Sequence, residues 1–245
     1  DTVTAGTGTD TVVISGDGNT ITNAAQMAGV EVLELAGTKV SITGTVLAGL
    51  NSGVLQKVKG SASSSELTIT GTAASTVDLS SGLAFEGIKS LTGEVTGGAG
   101  AITIKLSAAQ INQVTTFAAA TGDTLTISSD VSGLEALAGK TTGITVSIDD
   151  SITNLLATSA SLTGVTVALG ATSVAQAVQA IDKLSAGTLT YELTDTAANL
   201  AKAPNSVFGN SATKLVVSGN ADAIQATEIQ GQINTANSSR TTKLA

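Results

Sequence analysis

The residues best placed to do chemistry are glycines and aspartates near the start of the chain. Residues 5–13 read AGTGTDTVV, and Gly6, Gly8, Asp10 and Val12 fit the pattern G-x-G-x-D-x-U. Glycines permit a tight bend in such a turn, and the aspartate offers oxygens to a hard cation such as calcium. Residues 16–21, GDGNTI, are a shortened echo that carries Asp17. The same residues also describe a plain glycine-rich turn. Further along, an acidic or amide residue closes several segments: Asp17, Asp130, Asp149 with Asp150, Asp195 and Asn220. Lined up on one edge, these residues would collect calcium and join neighbouring molecules. Taken singly, they read as helix N-caps. Asp149 and Asp150 are the exception, since only one of two adjacent residues can cap.

Catalysis has little to work with. Histidine and cysteine are absent. That removes the commonest general base, thiol nucleophiles, disulfides and the usual zinc and copper ligands. Only Ser/Lys or paired carboxylates remain, and the carboxylates are scattered at one or two per repeat. No nucleophile elbow, phosphate loop or metal-ligand spacing is present. A sugar cleft usually needs aromatic platforms, whereas the chain has one Tyr, three Phe and no Trp. These features point away from an enzyme.

Charge narrows the partners. Net charge is −8 with pI near 4.4. Nucleic acid needs a basic stripe, which is missing. Divalent cations are the charged partners the composition favours. No apolar run reaches the ~20 residues of a membrane span. Opening on Asp1, inside what reads as a motif, suggests a processed chain or a fragment of a larger protein.

These residues must be positioned by a repeat. The chain is 42% hydrophobic but only 2% aromatic, so its core must come from many small, similar contacts. Short β-branched segments recur at 9–15, 38–43, 66–70, 75–79, 101–106, 123–128, 143–148, 164–169, 188–193 and 213–218. Another begins at 241–244. Most alternate apolar and polar residues, as half-buried strands do. From residue 101 their spacing is about 20–26 residues. Helices are predicted over 107–117, 173–184 and 221–233, with shorter turns at 151–156 and 196–203. Ser132–Glu135 (SGLE) fits a capping box. Pro204, the only proline, falls where a helix should stop. GVEVLEL at 29–35, with GIKSL and GLEAL later, reads as a structural turn into a packed coil. The expected fold is an α/β or β-rich solenoid of stacked parallel strands with short helices, about 20–26 residues per coil. Residues 1–80 read as a β-richer part with the glycine turn, and 81–245 as α/β repeats continuous with it.

The opening GTGTDTVVISG with AGVEVLELAG resembles repeats of secreted bacterial RTX-type (hemolysin-type calcium-binding) surface proteins and S-layer proteins. VAQAVQAIDKLSAGTLTYELTDTAANL at 174–200, followed by KLVVSGNADAIQATEIQGQIN, is similar to repeats of very large cell-surface proteins. The resemblance implies an extracellular location on a bacterial cell surface, type I secretion, calcium dependence and self-association into a lattice or filament. It carries calcium residues over at Gly6, Gly8 and Asp10, while the tandem GGxGxD blocks are missing here. Asp17, Asp149 and Asp150 complete the metal candidates. The expected role is a structural subunit or segment of an S-layer, sheath or filament. The alternative is the stalk or ligand-binding repeat region of a large adhesin. Cell-surface polysaccharide is a further expected partner.

Overall fold

The computed structural model describes every residue except 1, 2, 37, 38, 52, 53, 62–64, 141, 160–164, 185, 186, 210, 239, 241, 242 and 245. Parallel strands and a few short helices make an α/β fold. The chain divides into two compact units, 1–146 and 147–245.

The first unit begins with β1 (Val3–Thr4), β2 (Thr11–Ile14), β3 (Asn19–Ile21), β4 (Met27–Ala28), β5 (Val32–Leu35) and β6 (Lys39–Thr43). Helix α1 (Gly44–Asn51) leads to β7 (Lys57–Gly60), β8 (Glu66–Gly71), β9 (Ser75–Asp78), β10 (Ala84–Glu86), β11 (Ile88–Val95) and β12 (Ala101–Lys105). Then come α2 (Ala108–Asn112), β13 (Val114–Ala119), β14 (Thr124–Ser129) and α3 (Val131–Ala136). Strand β15 (Thr145–Asp149) straddles the division. The second unit continues with α4 (Ile152–Ala157), β16 (Thr166–Thr172), α5 (Val174–Lys183) and β17 (Thr188–Thr196). It ends with α6 (Ala197–Ala201), a 3-10 turn (Asn205–Phe208), β18 (Ala212–Ser218) and α7 (Ala223–Ser238).

In the first unit β1 pairs with β4 in parallel, and the other strands form three parallel ladders: β2-β5-β7-β10, β3-β6-β8-β11-β13 and β9-β12-β14. The second unit holds the ladder β15-β16-β17-β18. Neighbouring strands come from successive passes of the chain, so each residue stacks on its counterpart about 4.8 Å away. Like therefore meets like. Val40, Leu67, Leu91 and Phe117 form one row, and none is more than 5% exposed. Val77, Ile104 and Ile127 form a second row. In the second unit Ile148, Val167 and Leu189 form another. Burying each such side chain contributes roughly 1.5–3 kcal/mol.

Several expectations are corrected here. Segment 107–117 is not one helix: α2 stops at Asn112, and 114–119 is strand. The run Val114-Thr115-Thr116-Phe117 loses side-chain freedom in a helix, and Phe117 is needed in the row above Leu91. The helix-poor opening contains α1. The capping box at Ser132 gives way to Asp130, whose side chain accepts the Gly133 N–H at 2.9 Å. Strands β1, β3, β4, β5, β7, β10, β11 and β13 lie outside the expected strands. Of the strands expected at 38, 164 and 241–244, residues 38, 164, 241 and 242 lie outside the described residues. Lys243 and Leu244 are not in a strand.

Close backbone approach fixes one corner. Gly87 has φ +63°, and a Cβ on Gly60 would meet the Gly87 carbonyl and Ser65. Gly49, inside α1, has open space around it. Gly60→Ala should therefore lower stability by about 1–3 kcal/mol, while Gly49→Ala should raise it by about 0.5–1 kcal/mol. Chemical denaturation of the two variants checks both signs.

Candidate functional site

The N-terminal turn is held by backbone pairing. Gly8 takes φ +115° in an exposed bend. Asp10 donates its backbone N–H to the Glu31 carboxylate at 2.8 Å. Its carbonyl accepts from the N–H groups of Glu31 and Val32 at 3.2 and 3.0 Å. The Asp10 Oδ2 atom is shut off from solvent and has no hydrogen-bond partner. Asp17 accepts the Lys39 N–H at 3.4 Å, one pass on. Gly6 needs no left-handed backbone.

Asp149 ends β15, and Asp150 follows it. Asp150 accepts from the Ser151 N–H at 2.6 Å and from the Asn154 amide at 2.8 Å. Ser151, rather than either aspartate, caps α4. Of the six sequence candidates, Gly6, Gly8, Asp10 and Asp17 belong to the first unit, and Asp149 and Asp150 to the second. Among the described residues no three acidic side chains converge as a metal cluster.

What the structure does build is a succession of caps. Ser107, Asp130, Ser151, Ser173 and Thr196 each follow a strand and accept a backbone N–H in the first turn of the next helix. Gln110 and Gln176 reciprocate as capping boxes, which satisfies two otherwise unpaired donors at each end. Gln110 goes further. Its Nε2 donates to the carbonyls of Leu79 and Leu83, at 2.6 and 2.7 Å, tying its helix to the preceding pass.

Carboxylates do similar work between passes. Asp195 accepts from Thr196 N–H and the Asn199 amide through Oδ1, and from Val174 N–H of α5 through Oδ2 at 3.0 Å. Burial is the largest single influence and pushes its pKa up. The three donors together more than offset it, leaving the carboxyl below its ordinary range. Asp123 spans β11 and β12, accepting from Val95 N–H at 2.8 Å and Gly100 N–H at 3.1 Å. In the sequence Asp123 stands only at the start of a β-branched segment.

Helix C-termini are served from the following pass. Lys140 donates to the Ile111 carbonyl at 2.8 Å, and Lys183 to those of Leu156 and Thr158 at 2.9 and 2.5 Å. Gln232 reaches the carbonyls of Ala201 and Ala203. Donors there satisfy exposed carbonyls and, for lysine, complement the negative end of the helix. The N-terminal caps carry a sequence signal: Asp150-Ser151-x-x-Asn154 and Asp195-Thr196-x-x-Asn199 stand 45 residues apart.

Among the described residues, two depressions lie in the first unit. One, of about 210 Å³, is lined by Thr43, Thr70, Thr72, Ser75, Val77 and neighbours. The other, of about 380 Å³, lies along Ser80, Leu83, Phe85, Ser107 and Gln113. Neither is lined by a carboxylate or a lysine, so neither offers an acid–base pair. Tyr191 is buried in the second unit, its hydroxyl donating to the Val207 carbonyl at 2.8 Å. Burial pushes its pKa up to about 12. No protein-family model, curated relative or solved structure matches the chain.

The depressed Asp195 carboxyl has a measurable consequence. Its contribution is present above the ordinary carboxylate pKa of about 4 and is lost as pH falls through the lower folded value. Asp195→Ala should therefore lower the melting temperature at pH 7 and narrow the gap to wild type at acid pH. A gap that widens on acidification would contradict this role.

Proposed function

We propose that this chain is a structural segment of an extracellular bacterial surface protein, a subunit or part of an S-layer, sheath or filament. In this reading each unit is a solenoid of parallel coils, and self-association is its function. One observation carries it. The side chains able to do chemistry are used to join one pass of the chain to the next, as Asp195, Asp123, Lys140 and Lys183 do. A protein selected for turnover would instead gather such groups in a cavity. The proposed chain is therefore not an enzyme.

The sequence motif alone supplies the proposed cation, calcium, at Gly6, Gly8, Asp10 and Asp17, with Asp149 and Asp150 as a separate candidate pair. Cell-surface polysaccharide is the proposed second partner. Among the described residues no helix is long and apolar enough to cross a membrane.

Light scattering and electron microscopy of purified chain, with millimolar calcium and then with a chelator, test the reading. The expected result is ordered assembly in calcium that the chelator reverses. A strictly monomeric chain at high concentration in calcium would sink the lattice reading, and an elongated monomer would assign the adhesin stalk instead.

A further inference from the structure

We propose that Arg240 is the latch of a strap, formed by α7 and the residues after it, that covers the entry of β18 and keeps a second copy of this chain from pairing there. This rests on the self-association proposed above and names the contact that restrains it.

The entries of successive strands share one kind of bond. Gln56 donates its N–H to the Glu31 carbonyl, Ala84 to that of Gln56, Thr124 to that of Gly100 and Thr188 to that of Val165. In each case the donor belongs to the following pass. Among the described residues β18 is the last strand of its ladder. Just before it, Ser211 turns its carbonyl to the Tyr191 N–H of β17. Successive carbonyls of a strand face opposite sides, so that of Ala212 faces away from β17. There it accepts from Arg240 Nη2 at 2.6 Å. A guanidinium thus supplies, at this entry, the donor that a following pass supplies at the others. Its Nη1 donates to the Phe208 carbonyl at 3.2 Å and to that of Gly209. Arg240 is only 8% exposed. Open strand edges template the addition of another strand, and proteins cover them with a helix or loop.

The strap that carries Arg240 is held mostly by polar contacts. Helix α7 packs on α6 and the 3-10 turn, yet of its 16 residues only Ile229 is buried. Ile224 is 71% exposed. Gln232 holds the Ala201 and Ala203 carbonyls. Leu244 donates its N–H to Asn237 Oδ1 at 2.7 Å and accepts from Asn237 Nδ2 at 3.0 Å, which folds the chain end back on the helix. Residues 217–224 are all exposed, and Gly219 takes φ +83°. They form the hinge between β18 and α7. A segment with so little buried apolar surface opens more readily than the sheet beneath it. What closes it is the planar fork of Arg240, which serves three carbonyls at once.

Hydrogen exchange and sedimentation velocity of the full chain, both in chelator, test the strap. In wild type the 224–238 amides should exchange together and faster than those of 188–196, and the chain should stay monomeric. Arg240→Ala should speed exchange of 224–238 by about tenfold or more and leave 188–196 unchanged. It should also associate at concentrations where wild type is monomeric. Arg240→Lys keeps the charge but loses the fork, and should do the same more weakly. Wild-type strap amides that open only together with 188–196 would overturn the strap, whether or not the variants fold. Arg240→Ala that speeds both segments alike would overturn the latch, by making Arg240 a support of the whole unit. An opened strap with no gain in association would overturn the guard. Wild type that stays monomeric in calcium while Arg240→Ala associates in chelator would remove calcium-driven assembly and keep the guard.

Discussion

A parallel backbone ladder sets each residue directly against its counterpart one pass away, and the rest of this molecule is arranged to keep that register. Rows such as Val40, Leu67, Leu91 and Phe117 follow from it. Apolar side chains stack on apolar side chains from pass to pass, so the core is mainly aliphatic. Aromatic residues make up only 2% of the chain, and Phe117 stands on β13, the last strand of its ladder. Where ladders crowd one another, glycine gives way: a Cβ on Gly93 would strike Leu125 and Ile102 of the neighbouring ladder.

The same constraint decides what happens to polar groups. Each short helix leaves unpaired N–H groups at its start and carbonyls at its end. In a stacked arrangement these ends recur at every pass. The protein meets them with a recurring answer: Ser, Thr or Asp at the start, and in three cases a side chain from the following pass at the end. Asp130, Lys140 and Lys183 are committed to this task. Neither depression of the first unit is lined by a carboxylate or a lysine.

Much of this was legible. The strands at 101–106, 188–193 and 213–218 were visible as alternating β-branched runs, and the structure places β12, β17 and β18 there. The helix at 173–184 was visible from its apolar spacing and its opening serine. Asp130 was readable as a cap because a helical pattern follows it. The strands of the first unit were harder. β7 (KVKG) and β10 (AFE) are too short to show a period, and their pairing with distant passes defines them. The break inside 107–117 was hidden for a related reason, since Ile111, Val114 and Phe117 share a helical spacing while Phe117 is wanted in a sheet row.

By itself the sequence determined the class of elements, their approximate period, the aliphatic core and the shortage of catalytic groups. Those properties depend on residue type and local spacing, which a sequence carries directly. Tertiary structure decided the partners. Which pass Asp195, Asp123, Lys140 and Gln110 reach depends on which segments lie side by side, and that is fixed by strand register across 20 to 30 residues of chain. Aspartates that look equivalent along the chain serve different neighbours once it is folded.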